Sequence, residues 1–284
     1  MMDKIEKLGS SLIQHGKHSD RIYLMKLSRS DFTDITKALK KIAQIYQYSK
    51  IFAKVPESMK TAFIRDQYRV EAEIPGFFKG KEKGLFMAKF LKPDRSQLPP
   101  PRQTRITRNI KLAISQPVMD TIQVDKKFQI GQLSVDYVSE LSELYRMVFQ
   151  SYPFPIHDPE YLKKTMEENL IYFGVFHEDR LVAAASSEMY YDYQNVEMTD
   201  FATHPDYRGK KLALILLDLM EKKMVRRNMK CLYTIARSHS AGMNITFARK
   251  GYKFGGTLIN NTNISGEIES MNVWYKNTLQ PLSD

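Results

Sequence analysis

The sequence predicts an α/β fold on a mixed sheet, with a smaller α/β module ahead of a larger one. Three observations lead there. Strand-like apolar segments alternate with segments whose apolar residues recur at the helical spacing of i, i+3, i+4 and i+7. A run rich in Pro and Arg, residues 93–117, divides the chain. A basic turn, His204-Pro205-Asp206-Tyr207-Arg208-Gly209-Lys210-Lys211-Leu212-Ala213, joins an extended segment to a long amphipathic helix.

In the first module, residues 21–27 read as a strand and 31–47 as a helix with Phe32, Ile35, Leu39, Ile42 and Tyr46 on one face. A strand at 51–55, a helix at 58–72 and a strand at 85–91 complete an N-terminal module over 1–92. Pro93, Pro99, Pro100, Pro101 and Pro117, interleaved with Arg95, Arg102, Arg105 and Arg108, favour an extended, semi-rigid linker over 93–120. The second module, 121–284, begins with a strand at 128–133. A helix at 135–150 follows, with Val138, Leu141, Tyr145 and Val148 on its face. After Tyr152-Pro153-Phe154-Pro155 comes a helix at 159–168, for which Asp158 is the cap and Pro159 the first helical residue. Strands at 170–176 and 181–189 flank the turn His177-Glu178-Asp179-Arg180. The strand at 196–203 and the helix ending near Asn228 follow, then a strand at 230–236, a helix at 241–250 and a pair of strands near 252–260 and 271–276.

Composition narrows the function classes. Of 284 residues, 43% are hydrophobic and 26% charged, as in a soluble globular protein. No apolar run is long enough to span a bilayer, and residues 1–10 carry charges without the apolar stretch of a signal peptide. The single cysteine, Cys231, lies in an apolar strand, which excludes an internal disulfide framework and favours inert packing over nucleophilic use. The six histidines show no ligand spacing, so no metal is expected. The net charge of +11 invites an anion, but the basic residues are dispersed and no zinc finger or RNP motif is present. Neither a nucleic-acid nor a membrane partner is expected, and a reducing cytoplasm is the expected location.

The 204–213 turn carries the chemistry. Leu212, Ile215, Leu216 and Leu219 share one helical face, so the turn sits at a helix N-terminus, where free backbone N–H groups hold anions. Arg208, Lys210 and Lys211 add positive charge. This suits a pyrophosphate.

The order of elements from 128 to 276 resembles that of the GCN5-related N-acetyltransferases, the GNAT superfamily. Three motifs carry the likeness. The superfamily's Arg/Gln-x-x-Gly-x-Gly/Ala signature is met by Arg208-Gly209-Lys210-Lys211-Leu212-Ala213. Glu197 stands eleven residues before Arg208, the spacing of a general base in some members. Asn244-x-x-Phe247-x-x-x-Gly251-Tyr252 is similar to the second acetyl-CoA segment. A narrower likeness, to the β-lysine N6-acetyltransferases of bacteria and methanogens, is carried by His15-Gly16-Lys17-His18-Ser19-Asp20-Arg21-Ile22-Tyr23-Leu24 and Ile74-Pro75-Gly76-Phe77-Phe78. Asn260-Asn261-Thr262-Asn263-Ile264 and Glu269-Ser270-Met271-Asn272-Val273-Trp274-Tyr275 continue it.

The resemblance implies acetyl-CoA as co-substrate and direct transfer, in a ternary complex, to the ε-amine of β-lysine. The product would be the compatible solute Nε-acetyl-β-lysine, used in osmoadaptation. Acetyl transfer needs a neutral amine, and a lysine-type ammonium has a pKa near ~10.4, so a carboxylate base is required. Glu197 is the first choice and Asp200 the second. Residues three apart on a regular strand face opposite sides, so the two share a site only if the strand carries the bulge that the resemblance implies. Backbone groups of Phe201, Ala202 and Thr203 would meet the thioester and pantetheine. Residues 208–213, Asn244 and Phe247 would complete the cofactor site. Tyr152, Tyr190, Asn260, Asn261, Asn272 and Trp274 are the acceptor-binding candidates, with Tyr191 and Tyr193 beside them.

Two positions depart from the superfamily pattern. Lys211 stands where Gly is usual; a helix-compatible Lys still offers its N–H there. Phe247 stands where many members place a proton-donating Tyr. The N-terminal module resembles, faintly, the C-terminal half of an acetyltransferase domain; it either closes the acceptor site or mediates a homodimer. Other readings are an acetyltransferase for a polyamine, an aminoglycoside or a protein lysine, and a non-catalytic RNA-binding module.

Overall fold

A computed structural model describes residues 3–119 and 122–278. Asp120 and Thr121, where the expected linker ends and the second module begins, lie outside them. The strands are β1 (Lys4–Leu8), β2 (Ser11–Gly16), β3 (Arg21–Lys26), β4 (Lys50–Pro56), β5 (Arg69–Phe78) and β6 (Glu82–Phe90). After them come β7 (Gln129–Gln132), β8 (Leu170–His177), β9 (Arg180–Tyr190), β10 (Asn195–Thr203), β11 (Cys231–Arg237), β12 (Lys253–Ile264) and β13 (Glu267–Asn277). The helices are α1 (Ile35–Tyr46), α2 (Lys60–Arg65), α3 (Pro100–Ile114), α4 (Val138–Val148), α5 (Pro159–Glu168), α6 (Leu212–Arg226) and α7 (Ala241–Arg249).

All thirteen strands form one mixed sheet in the order β1-β2-β3-β4-β6-β5-β12-β13-β11-β10-β9-β8-β7. Apart from β7, the order is a palindrome about the β5–β12 join. In the second half β10 and β11 are parallel, crossed by α6, and β12–β13 is a hairpin inserted with β13 beside β11. In the first half β3 and β4 are parallel, crossed by α1, and β5–β6 is a hairpin inserted with β6 beside β4.

The join is narrow. β12 meets β5 in register at Gly256 and Ala72. Gly256 has φ of +144°, and a Cβ there would lie 2.2 Å from the Glu71 carbonyl oxygen. Only glycine fits that approach. A core packed across the join holds it shut, with Tyr23, Phe52, Phe77 and Phe86 from the first half against Tyr233, Leu258, Met271 and Val273 from the second. Buried Lys50 on β4 donates to Glu71 at 2.8 Å and to the Ile259 carbonyl at 2.7 Å, an ion pair seated on the seam.

Alternation along the strands sorts the remaining packing. Phe173, Ala183 and Ala185 face the core under α6 and α7, whereas Tyr172 and Ala184 face the core under α4 and α5. Asp158 accepts from the Glu160 N–H at 3.0 Å and caps α5, with Pro159 first in the helix as its sequence predicts.

Three expectations need correction. The Pro/Arg-rich stretch is not extended: after a single turn at Pro93–Ser96 it forms the fifteen-residue α3. Pro100 and Pro101 occupy the first turn, where a missing N–H costs nothing. Ile106, Asn109 and Ala113 then bury one face, and Asn109 donates to the Ser238 and His239 carbonyls ahead of α7. The helix expected over 58–72 stops at Arg65, because Gln67 turns left-handed (φ 66°) and the chain enters β5, where Ala72 and Ile74 alternate inward. The hairpin β1–β2, within a segment assigned no element, adds two edge strands.

Candidate active site

β10 and β11 lie side by side for only three residues, Asn195–Glu197 against Cys231–Tyr233. Beyond them the strands part, although β10 stays paired with β9 as far as Thr203. Between Thr199 and Ala202 it carries one residue more than β9 does opposite, and Asp200 there has φ of 55°. This is the bulge the resemblance implied. It bends the strand and breaks its alternation, so that Glu197 and Asp200 line the same cavity.

Two cavities meet at the parting. An outer slot of about 620 Å³ lies between β10, β11, α7 and the start of α6. An inner cavity of about 450 Å³ lies between the bulge, α5 and the strands of the first half. Tyr152, Thr199, Asp200, Ile235, Ile264 and Met271 line both.

The slot gathers most of the expected cofactor residues. Phe201, Thr203, Arg208, Gly209, Lys211, Leu212, Ala213 and Phe247 line it. The backbone of the parted strands has no ladder partner across the gap, and no side chain caps α6. An extended amide-bearing arm ending in a pyrophosphate fits such a wedge: strand edges take the arm, and the helix N-terminus with Arg208 and Lys211 takes the phosphates. Phe247 is fully buried, edge-on to Phe201 at 5.5 Å and to Tyr252 at 5.0 Å.

Ala202 is assigned for its backbone, and its side chain packs into the core under α4 and α5. Two other assigned cofactor residues do something else. Lys210 Nζ sits 4.6 Å from the centre of the Tyr207 ring, outside the slot. Asn244, fully buried, donates to the Arg237 and Ser240 carbonyls at 3.0 and 2.7 Å and accepts from Asn272 at 2.8 Å and Trp274 Nε1 at 2.9 Å. Its amide is spent on tying α7 to β11 and β13. Lys211 is not in a helical conformation: at φ 61° and ψ 19° it is left-handed, which costs a side chain about 1–2 kcal/mol and explains why Gly suits the position.

Four acids line the inner cavity, Glu168, Glu188, Glu197 and Asp200. Asp200 accepts from Tyr152 Oη and Ser186 Oγ, both at 2.5 Å; burial raises its carboxyl and these bonds restrain it. Glu188 accepts from Tyr190 Oη at 2.6 Å and is also raised by burial. Glu197 is pushed up to about 7 by burial, with Lys54 pulling it down, Glu188 pushing it further up and the Tyr233 hydroxyl opposing. Lys54, on β4, lies behind the wall of this cavity. Its Nζ donates to Tyr233 Oη at 3.1 Å and lies 5.2 and 4.8 Å from the Tyr23 and Tyr190 ring centres. Burial lowers its ammonium, and Glu197 and Glu188 hold it up.

Of the acceptor candidates, Tyr152, Tyr190 and Asn261 line this cavity. Asn272 and Trp274 do not, being spent on Asn244. Asn260 turns away with φ of 42° and donates to the Arg95 and Gln97 carbonyls. Tyr191 is exposed, and Tyr193 donates to the Leu27 carbonyl. The sequence reading missed Arg21, Lys54 and Glu188. A signal existed for the first two: each is a cation beside a run of apolar strand residues, Arg21-Ile22-Tyr23-Leu24-Met25 and Ile51-Phe52-Ala53-Lys54-Val55, and a buried cation needs a partner.

Two other groups are accounted for locally. Cys231 is fully buried, and burial pushes its thiol well up, away from nucleophilic use. His239, Glu267 and Glu269 converge, but Arg102 takes Glu267 at 2.6 Å and Arg237 takes Glu269.

Because Asn244 ties four groups together in a dry site, Asn244→Ala strands the Trp274 and Asn272 donors. We expect a loss of about 3 kcal/mol of stability, read from the urea midpoint. Acetyl-CoA affinity of the folded variant should stay close to native.

Residues 138–252 match the acetyltransferase (GNAT) family. Over 275 residues the chain is 38% identical to a β-lysine N(6)-acetyltransferase of Methanococcus maripaludis, covering 97% of this chain and 99% of that one. It is 39% identical over 149 residues to the N-acetyltransferase YodP of Bacillus subtilis, 52% of this chain and 54% of that protein. Over 138 residues it is 37% identical to a β-lysine N(6)-acetyltransferase of Methanosarcina mazei, 49% of this chain and 51% of the relative. Enzymes of the GNAT fold use acetyl-CoA, and the slot at the β10–β11 parting has the form for it; the chain belongs to the GNAT family and is an N-acetyltransferase.

Proposed function

We propose that this enzyme transfers acetyl from acetyl-CoA to the ε-amine of β-lysine, giving Nε-acetyl-β-lysine. The observation that carries the reading is full-length likeness to an enzyme of that name, because the inner cavity is built from both halves of the chain. A likeness confined to the slot would have left the acceptor open.

The pantetheine arm lies along the β10 edge and brings the thioester to the common wall of the two cavities, at Thr199 and Asp200. The acceptor fills the inner cavity with its ε-amine at that wall. Glu197 takes one proton from the ε-ammonium, directly or through a water. The freed amine nitrogen attacks the thioester carbonyl; a C–N bond forms, the C–S bond breaks with CoA leaving as its thiolate, and the nitrogen's second proton goes to that thiolate. Backbone N–H groups of 201–203 face the developing oxyanion. Asp200 is the weaker choice, since both of its oxygens already accept hydrogen bonds. A carboxylate near 7 is matched to base catalysis at neutral pH. Transfer is direct, with no cysteine on the path. Among the described residues no helix is long and apolar enough to cross a membrane, and we assign the enzyme to the cytoplasm.

Residues 1–92 are, in this reading, a degenerate acetyltransferase half that has become the lid of the acceptor site. The palindromic strand order supports it. The segment matching the pyrophosphate loop, between β3 and α1, carries Asp31 and Asp34 in place of glycine and a run of cations, so one acetyl-CoA binds per chain.

Thiol release from acetyl-CoA with β-lysine, α-lysine and spermidine supplied separately should favour β-lysine; equal use of spermidine would sink the acceptor assignment. With β-lysine, kcat/KM should rise with pH through about 7, as Glu197 loses its proton. Glu197→Gln should remove that limb and lower turnover by about 100-fold or more at neutral pH. Lys54→Met removes the cation that holds Glu197 down. The limb should then move to higher pH, by about one unit, in a full pH–rate profile.

A further inference from the structure

Arg21 sits in the wall of the inner cavity and is 3% exposed. Its Nη1 donates to the Asn261 carbonyl at 2.8 Å and to Thr262 Oγ1 at 2.7 Å, and its Nη2 reaches Gln14 Oε1 only at 3.5 Å. Its Nε has no partner. Among the described residues no carboxylate pairs with it; Asp3 and Glu197 act on it only at longer range. Other buried cations contrast with it. Lys50 has Glu71 at 2.8 Å, Lys250 has Asp218 at 2.7 Å, and Arg95 has Asp20 at 3.9 Å. Lys54, like Arg21, lacks a contacting carboxylate and lies against aromatic rings: Lys54 against three, and Arg21 with its guanidinium 5.1 and 5.9 Å from the Tyr23 and Phe52 ring centres.

A guanidinium held in a dry wall with an open donor and no counter-ion is costly unless an anion arrives. Beside it, Asn261 is 1% exposed and its Oδ1 has no partner either. One unmatched donor and one unmatched acceptor therefore lie in the wall of the same cavity. Arg21 belongs to the inner cavity alone and not to the wall shared with the slot, so whatever it binds is the end of the acceptor remote from the acetyl group.

We propose that Arg21 is the receptor for the acceptor's carboxylate and that Asn261 Oδ1 takes the ammonium nearest to it. This makes the first half of the chain the reader of the acceptor, and it makes the acceptor class a diamino acid. A polyamine brings no anion and would leave Arg21 uncompensated beside further positive charge. The charges agree: the wall sets Glu188, Glu197 and Asp200 against Arg21, with Lys54 behind and the Lys164–Glu168 pair cancelling itself, and a diamino acid enters with one surplus positive charge.

The inference rests on the β-lysine reading above, and the experiment separates the two. The ratio of kcat/KM for β-lysine to that for its decarboxylated diamine is measured in the native enzyme, Arg21→Met and Arg21→Lys. The native enzyme should favour the amino acid strongly. Arg21→Met should collapse the ratio by about 100-fold. Arg21→Lys, which keeps the charge but not the fork, should fall between. Acetyl-CoA affinity, unchanged in both, certifies the fold; if Arg21→Met does not fold, Arg21→Lys decides alone. A native enzyme indifferent to the carboxylate overturns the acceptor reading. A native preference that survives both substitutions overturns the role of Arg21.

Discussion

The meeting of β12 with β5 is the constraint on which the rest of this molecule depends. Two strands from different halves approach so closely that a single Cβ on Gly256 would strike the Glu71 carbonyl. That contact makes one sheet of thirteen strands instead of two sheets facing each other. Once the sheet is continuous, β3 and β4 stand across from β10 and β11. Arg21, Tyr23 and Phe52 then line one cavity with Glu188, Glu197 and Asp200, and Lys54 acts on Glu197 and Glu188 from behind its wall. The Lys50–Glu71 pair is part of the same seam. Its desolvation is tolerable because Lys50 also donates to the Ile259 carbonyl and Glu71 also accepts from the Ile259 N–H.

The two halves use one topology for different ends. In the second half the parallel pair separates after Glu197 and leaves a wedge whose floor is the N-terminus of α6. In the first half the parallel pair runs in register over Arg21–Leu24 and Lys50–Ala53, and a cation from each strand points toward the join. Backbone in the second half is therefore free to meet an extended ligand. In the first half it is side chains, Arg21, Tyr23 and Phe52 among them, that line the inner cavity. This division explains why likeness over half the chain suffices for the slot, whereas the inner cavity requires all of it.

Much of the second half was legible because its signals are local. The Asp158 cap, the 204–213 turn and the apolar stripe of α6 each lie within one or two turns of chain. Glu197 was legible through its distance from Arg208. What escaped depends on distant partners. Asn244, read as a cofactor ligand, is engaged by Asn272 and Trp274 from a strand some thirty residues on. Periodicity could not show that α3 would find α7 to pack against, so its prolines read as extension when they mark the first turn of a helix. In the same way β5 read as a continuation of α2, since Arg69-Val70-Glu71-Ala72 fits either period over so short a span. Arg21 and Lys54 were the most readable of the omissions: a cation beside an apolar run asks for a partner, and each finds neutral hydrogen-bond acceptors in the other half.

The strain at the bulge fits this account. Asp200 holds a left-handed conformation on a strand, which non-glycine residues avoid. It is held there by Tyr152 from the loop after α4 and by Ser186 from β9, one on each carboxylate oxygen. Those two bonds leave Asp200 satisfied in the wall common to the two cavities. Glu197, three residues earlier, is raised by the same burial but has the Lys54 ammonium across the sheet to restrain it. One acid is thus fixed by hydrogen bonds and the other tuned by a charge from the opposite half. Asp200 organises the strand that parts, and Glu197 is left with the capacity to take a proton.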